Sequence, residues 1–110
     1  MRIACGIDLV EDTRFEVLKS DSAFLSKCLQ PSERELLDKL PSIFALKEAV
    51  VKALLLPADS WLEIEVSYQE SGKTAVSLSD AVRPDGLVSL DCSVSHENGY
   101  TVAQVIMLFT

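Results

Sequence analysis

The stretch Ile43-Phe44-Ala45-Leu46-Lys47-Glu48-Ala49-Val50-Val51-Lys52-Ala53-Leu54-Leu55 decides how the chain folds. It reads as a helix of about three and a half turns. On a wheel at roughly 100° per residue, Leu46, Val50, Leu54, Val51, Phe44 and Leu55 fill a wide apolar arc, and Ala45, Ala49 and Ala53 fill most of the rest. Glu48 and Lys52 share the edge of that arc, and Lys47 falls near its middle. A helix apolar nearly all round is a buried helix, and a charge on it needs a partner. Such a conflict between polarity and burial marks where a site should be sought.

Upstream of this helix, Ile3, Cys5, Ile7 and Leu9 alternate with Arg2, Ala4, Gly6 and Asp8. The pattern predicts a strand, much of it buried on both faces. Asp8 stands near its end, on the opposite parity from Ile7 and Leu9, where a carboxylate commonly caps the next element. Glu11-Asp12-Thr13-Arg14 opens a helical stretch with Phe15 and Leu18 as contacts, its acidic residues suiting the helix dipole. Ser20-Asp21-Ser22 is an N-cap cluster ahead of a short helix from Ala23 to Leu29. Pro31 takes a first helical position, and a helix from Glu33 to Leu40 comes after it. Pro41-Ser42 ends that helix and leaves Ser42 as N-cap of the long one.

Downstream, Pro57 and Asp59-Ser60 stop the long helix. Leu62, Ile64, Val66 and Tyr68 alternate with polar residues, a strand with one wet face. Glu70-Ser71-Gly72-Lys73 is a turn, Thr74 to Leu78 a return strand, and Ser79 to Gly86 a loop. Val88, Leu90, Cys92 and Val94 form another alternating strand, whose apolar parity His96 continues. Asn98-Gly99 is a two-residue hairpin signal. Tyr100 to Phe109 is apolar on both parities except at Gln104, which predicts a central strand. One strand, then helices, then antiparallel strands is an α+β pattern, here a single domain spanning residues 1–110.

Composition narrows the function. The net charge is −7, and it is uneven: eight basic and nine acidic residues up to Leu55, two basic (Lys73, Arg83) and eight acidic after it. Such a chain makes a poor partner for nucleic acid, and an anionic ligand would meet its first half. No apolar run is long enough to span a membrane, and the N-terminus lacks a signal-peptide layout, so the cytoplasm is expected. Cys5, Cys28 and Cys92 are odd in number and form no CxxC, which argues against a disulfide framework or a zinc site. Cys5 and Cys92 fall in strands, where a free thiol packs as a small apolar group.

No Gly-rich nucleotide loop, HExxH or GxSxG occurs, and one histidine excludes a multi-histidine metal centre. Three features remain: Asp8 with its acidic neighbourhood, the Lys47-Glu48-Lys52 set, and Ser95-His96. Each has an ordinary reading. Glu48 and Lys52 form an i,i+4 pair, Lys47 can snorkel, and His96 can be a hydrogen-bonded strand-end histidine. Together they lie on a mostly apolar background. Two carboxylates from different elements suit Mg²⁺, which takes oxygen ligands and is usually completed by substrate phosphates, and nearby lysines would hold the remaining phosphate charge.

The motifs Gly6-Ile7-Asp8-Leu9-Val10-Glu11, Arg14, Phe44-Ala45-Leu46-Lys47-Glu48-Ala49 with Lys52-Ala53-Leu54, Gly72-Lys73, Ser93-Val94-Ser95-His96-Glu97 and Tyr100-Thr101-Val102-Ala103 run in order along nearly the whole chain. In this combination the sequence resembles holo-acyl carrier protein synthase, the small type of 4′-phosphopantetheinyl transferase. The resemblance implies that family's fold, an antiparallel sheet packed against a long buried helix with additional short helices. It implies transfer of the phosphopantetheine arm of coenzyme A to a serine of an apo acyl carrier protein, leaving 3′,5′-ADP, in the setting of fatty acid biosynthesis and lipid metabolism. By resemblance, Asp8 and Glu48 hold Mg²⁺, and Glu48, a water on it, or Lys52 helps deprotonate the carrier serine. Lys47, Lys52, Lys73, Ser95 and His96 meet coenzyme A, and Arg14 faces the carrier protein. The family typically forms a homotrimer with sites at the subunit interfaces. Two places depart from its pattern: Leu55-Leu56-Pro57 stands where a Gly-Thr-Gly turn is usual, and Ile43 where an arginine commonly precedes the phenylalanine. They leave a second reading, a catalytically weakened member serving as a carrier-docking or structural module.

Overall fold

A computed structural model describes all residues from Met1 to Thr110. Strand β1 (Arg2–Glu11) leads into two short helices, α1 (Arg14–Leu18) and α2 (Ser22–Cys28), then a 3₁₀ segment (Pro31–Lys39) and the long helix α3 (Leu40–Leu54). A second 3₁₀ segment (Ser60–Glu63) precedes β2 (Ile64–Tyr68), β3 (Thr74–Leu78), β4 (Leu87–Glu97) and β5 (Tyr100–Phe109). Strands β1, β5 and β4 form an antiparallel sheet in that order, while β2 and β3 form a separate hairpin. The hairpin docks on β4 through Thr74 Oγ1, which lies 3.3 Å from Cys92 Sγ.

The sheet buries one face under α3. Ala103, Val105, Met107 and Phe109 of β5 point into it, with Val10 of β1 and Cys92 of β4. From the helix side come Leu40, Ile43, Phe44, Ala45, Leu46, Ala49 and Val50. Gly6 sets the approach of β1. A Cβ there would stand 1.8 Å from the Ala49 carbonyl oxygen, so only a residue without one lets strand and helix backbones come this close.

The β5 prediction holds: it is the central strand. The Asn98-Gly99 turn also forms, both residues having positive φ (51° and 78°) as a type I′ hairpin requires. Strand β1 differs from expectation. Its Ala4, Gly6, Asp8 and Val10 parity faces the helix, while Ile3, Ile7 and Leu9 are 67%, 55% and 63% exposed. Cys5 shares this outer face and is exposed, rather than packed as an apolar group. One layer covers the sheet, so only one parity is buried.

The helix boundaries also move. Pro41 lies in the first turn of α3 rather than ending the element before it, because a proline there gives up only an N–H that has no intrahelical acceptor. Ser42 is therefore buried inside that turn and is not the cap. The preceding segment is a 3₁₀ run broken at Leu36 (φ −111°, ψ 31°), not an α-helix. Asp21 does cap α2, accepting from the Phe24 N–H at 3.1 Å. Residues Leu62 and Glu63 belong to the second 3₁₀ segment, so β2 starts at Ile64. No helix is long and apolar enough to cross a membrane.

Candidate active site

The charged residues of α3 part ways. Lys47 is fully buried. Its ammonium donates to Glu33 Oε1 at 2.6 Å, to the Cys28 carbonyl at 2.6 Å and to the Trp61 carbonyl at 3.1 Å. Glu33, also fully buried, accepts in addition from the Gln30 and Val66 backbone N–H groups at 2.8 and 2.6 Å. Three protons and one charge are thereby matched. The expectation that Lys47 meets coenzyme A is corrected: the side chain pins α2, the first 3₁₀ segment and β2 to the long helix, with no donor left for a ligand. Cys28 sits in the same interior, and burial pushes its thiol up to about 12.

Lys52 and Asp8 do come together. Lys52 Nζ donates to Asp8 Oδ1 at 2.8 Å and to the Ile7 carbonyl at 3.0 Å. The second carboxylate oxygen, Asp8 Oδ2, is buried and has no partner. A buried oxygen without a donor is costly, and a carboxylate oxygen in that condition at the rim of a charged cluster is suited to a cation. Glu48 lies one helical turn before Lys52, on the same flank, and its Oε1 accepts from the Trp61 indole N–H at 3.1 Å. That bond orients Glu48 and leaves its other oxygen available. Nowhere does the chain gather three histidine, cysteine or acidic side chains around one point. A metal held by Asp8 and Glu48 would therefore take its other ligands from substrate or water, as Mg²⁺ does. The donor set fits that ion.

His96, Lys73 and Ser95 occupy the other flank. His96 Nδ1 is 2.9 Å from Thr101 Oγ1. The ring borders a cavity of about 280 Å³ that Lys39, Ser42, Tyr68, Lys73 and Cys92 also line. Lys73 is held there by Asp91 at 2.9 Å and by the Cys92 carbonyl at 3.1 Å. Its hydrogen bond to Asp91 lifts the lysine above its ordinary range and holds the aspartate below its own. Ser95 has the opposite parity and opens outward, meeting His96 only at the strand end, where both line a cavity of about 350 Å³ with Leu9, Asn98 and Tyr100. Arg14 is apart from both groups, its guanidinium over the Phe15 and Phe44 rings at 5.1 and 5.3 Å.

Within one chain, then, Asp8 of β1 holds Lys52 of α3, with Glu48 one turn before it, whereas His96 and Lys73 flank β4, with β5 between the two strands. Asp8, Glu48 and Lys52 line none of the clefts that His96 borders.

The two departures from the family motifs have structural answers. Leu55 adopts the left-handed conformation (φ 55°, ψ 44°) as C-cap of α3, the geometry in which glycine usually serves. Ile43 is fully buried in the core.

Trp61, Asp12 and Thr101 were not legible as partners in the sequence. One signal could have found Thr101: an Asn98-Gly99 hairpin pairs His96 directly with Thr101, as observed.

Comparisons with known proteins bear on the family and the fold. The model of the 4′-phosphopantetheinyl transferase superfamily matches residues 4–105. A holo-acyl-carrier-protein synthase of Trichlorobacter lovleyi is 35% identical, covering 97% of this chain and 98% of its own. Among solved structures, the Helicobacter pylori holo-acyl-carrier-protein synthase in complex with coenzyme A is 35% identical with a TM-score of 0.81, covering 94% of this chain and 99% of that one. A synthase from Bacillus anthracis, in complex with CoA (3′,5′-ADP), is 27% identical with a TM-score of 0.77, over 94% of each chain. With its motifs, its fold and these likenesses spanning nearly its full length, the chain belongs to the 4′-phosphopantetheinyl transferase superfamily, in its holo-acyl-carrier-protein synthase branch.

Proposed function

We propose that the chain acts in the cytoplasm, where it moves the 4′-phosphopantetheine arm of coenzyme A onto a serine of an apo acyl carrier protein, with Mg²⁺, and releases 3′,5′-ADP. The observation that carries this reading is Asp8: one oxygen bonded to Lys52, the other buried without a donor, at the rim of a site whose relatives are synthases of this kind. Asp8 and Glu48 would hold the ion, which when bound neutralises the pyrophosphate and stabilises the leaving nucleotide.

The chain's own groups divide the remaining work. Lys52 donates to two oxygens, the behaviour of a cation that steadies phosphate charge. Glu48, with one oxygen on Trp61 and the other available, suits the acceptor of the carrier-serine proton. His96, Ser95 and Lys73 would contact coenzyme A, and Arg14, on the exposed side of α1, would meet the acidic carrier.

The same geometry supports a homotrimer. The two residue groups lie on opposite flanks of the sheet, so a complete site needs the β1 flank of one copy against the β4 flank of the next. Such a head-to-tail contact closes into a ring of three when each copy is turned by a third of a revolution from the last. The outer sheet face is available for it, since Ile3, Ile7, Leu9 and Ile106 are exposed together and a patch of that kind marks an interface.

The test is intact-mass measurement of an apo carrier incubated with the protein, coenzyme A and Mg²⁺. The carrier gains one phosphopantetheine, and Asp8→Ala or Glu48→Ala slows the gain by about 100-fold or more. A metal-replete protein that leaves its cognate carrier unmodified would refute the reading and favour a docking module.

A further inference from the structure

The chain's one histidine sits at the end of a hydrogen-bonded relay that neither the motifs nor the metal flank explains. Thr101 Oγ1 lies 2.7 Å from Asp12 Oδ1 and 2.9 Å from His96 Nδ1. A carboxylate only accepts, and a threonine hydroxyl has a single proton. That proton goes to Asp12, so the Thr101 oxygen accepts from His96, and Nδ1 is the ring nitrogen that carries hydrogen. Thr101 is fully buried, so bulk water does not compete for the hydroxyl. Asp12 is itself fixed, its backbone N–H donating to the Gly99 carbonyl at 2.8 Å. The same hairpin therefore places Asp12 beside Thr101 and Thr101 opposite His96. Nε2 is left with no protein partner, at a ring bordering clefts that Asp38, Lys39 and Lys73 also face.

We propose that Asp12 and Thr101 are positioning residues that hold His96 in one orientation with hydrogen on Nδ1, presenting the Nε2 lone pair to a hydrogen-bond donor of coenzyme A, a hydroxyl or amide N–H. The proposal rests on the reading of His96 as a coenzyme A contact. Its logic is that of a metal-ligand or catalytic histidine whose far nitrogen is oriented by a carboxylate, with a buried threonine interposed. The carboxylate keeps the threonine hydroxyl turned, and the threonine then has only a lone pair to offer the ring.

The experiment uses the full-length protein labelled with ¹⁵N at its single histidine. Two-bond ¹H–¹⁵N spectra at a pH where the ring is neutral report which nitrogen carries hydrogen, and calorimetry with Mg²⁺ present reports coenzyme A affinity. In the wild type and in Thr101→Ser, which keeps the hydroxyl, hydrogen resides on Nδ1. In Thr101→Val the ring becomes a mixture of tautomers and coenzyme A binds about 10-fold more weakly. Hydrogen on Nε2 in the wild type, or an unaltered tautomer in Thr101→Val, overturns the proposal. A wild type that shows the Nδ1–H ring but binds no coenzyme A refutes the functional reading while the relay stands.

Discussion

A lysine removed from solvent must have its charge neutralised and its protons accepted, and Lys47 meets both demands through Glu33, Cys28 and Trp61. Its burial was legible from its place in the apolar arc. Its partner was not, because Glu33 lies 14 residues away in a segment whose 3₁₀ path and break at Leu36 no periodicity announces. Residue chemistry and the resemblance put Lys47 in the ligand site; distances place it in the core. Replacing it with methionine leaves Glu33 buried beside an apolar chain. We expect Lys47→Met to lower stability by about 3–5 kcal/mol, read from denaturant unfolding monitored by Trp61 fluorescence. A loss below about 1 kcal/mol, the value of a surface pair, would mean the ammonium is solvated. Asp8 shows the reverse case. Its parity separated it from Ile7 and Leu9, but sequence could not say that Lys52, 44 residues on, takes one of its oxygens and leaves the other bare.

Among elements, α3 and β5 were the most legible, since a nearly all-apolar helix is satisfied only by burial and a strand with few polar residues is best placed between two others, although only one face of β5 is covered. Strand β1 was legible as a strand but not in how many of its faces are covered. Its apolar and small residues on both parities suggested burial of both faces, whereas only the parity of Gly6, which carries the close contact with Ala49, is covered. A glycine in a strand interior marks such an approach. The end of α3 carries a cost. Leu55 is 90% exposed and occupies a left-handed conformation that penalises any residue with a Cβ by about 1–2 kcal/mol. Leu55→Gly relieves this without losing packing, and part of the gain returns to the more flexible unfolded chain. The variant should be more stable by about 0.5–1 kcal/mol, seen as a raised midpoint in thermal unfolding. An unchanged or lowered midpoint would mean that the leucine side chain contributes packing the structure does not display.

At the scale of the whole molecule, the strand order β1-β5-β4 separates motifs that run together in the sequence. The motif around Asp8 and the motif around His96 are collinear partners along the chain, yet they flank opposite edges of one sheet. The Asn98-Gly99 hairpin set β4 beside β5, but the long connection from β1 gave no sign of which edge β1 takes, so this division became visible only in the fold. On the proposed function, it makes the site a property of two copies. The most direct test mixes Asp8→Ala with His96→Ala, allows subunits to exchange, and tracks carrier modification by mass. Each variant alone is strongly impaired. The mixture regains transfer, because an interface between the intact Asp8 flank of one copy and the intact His96 flank of another is whole. A mixture of two folded, exchanging variants that stays as inactive as its components would contradict a site built between subunits.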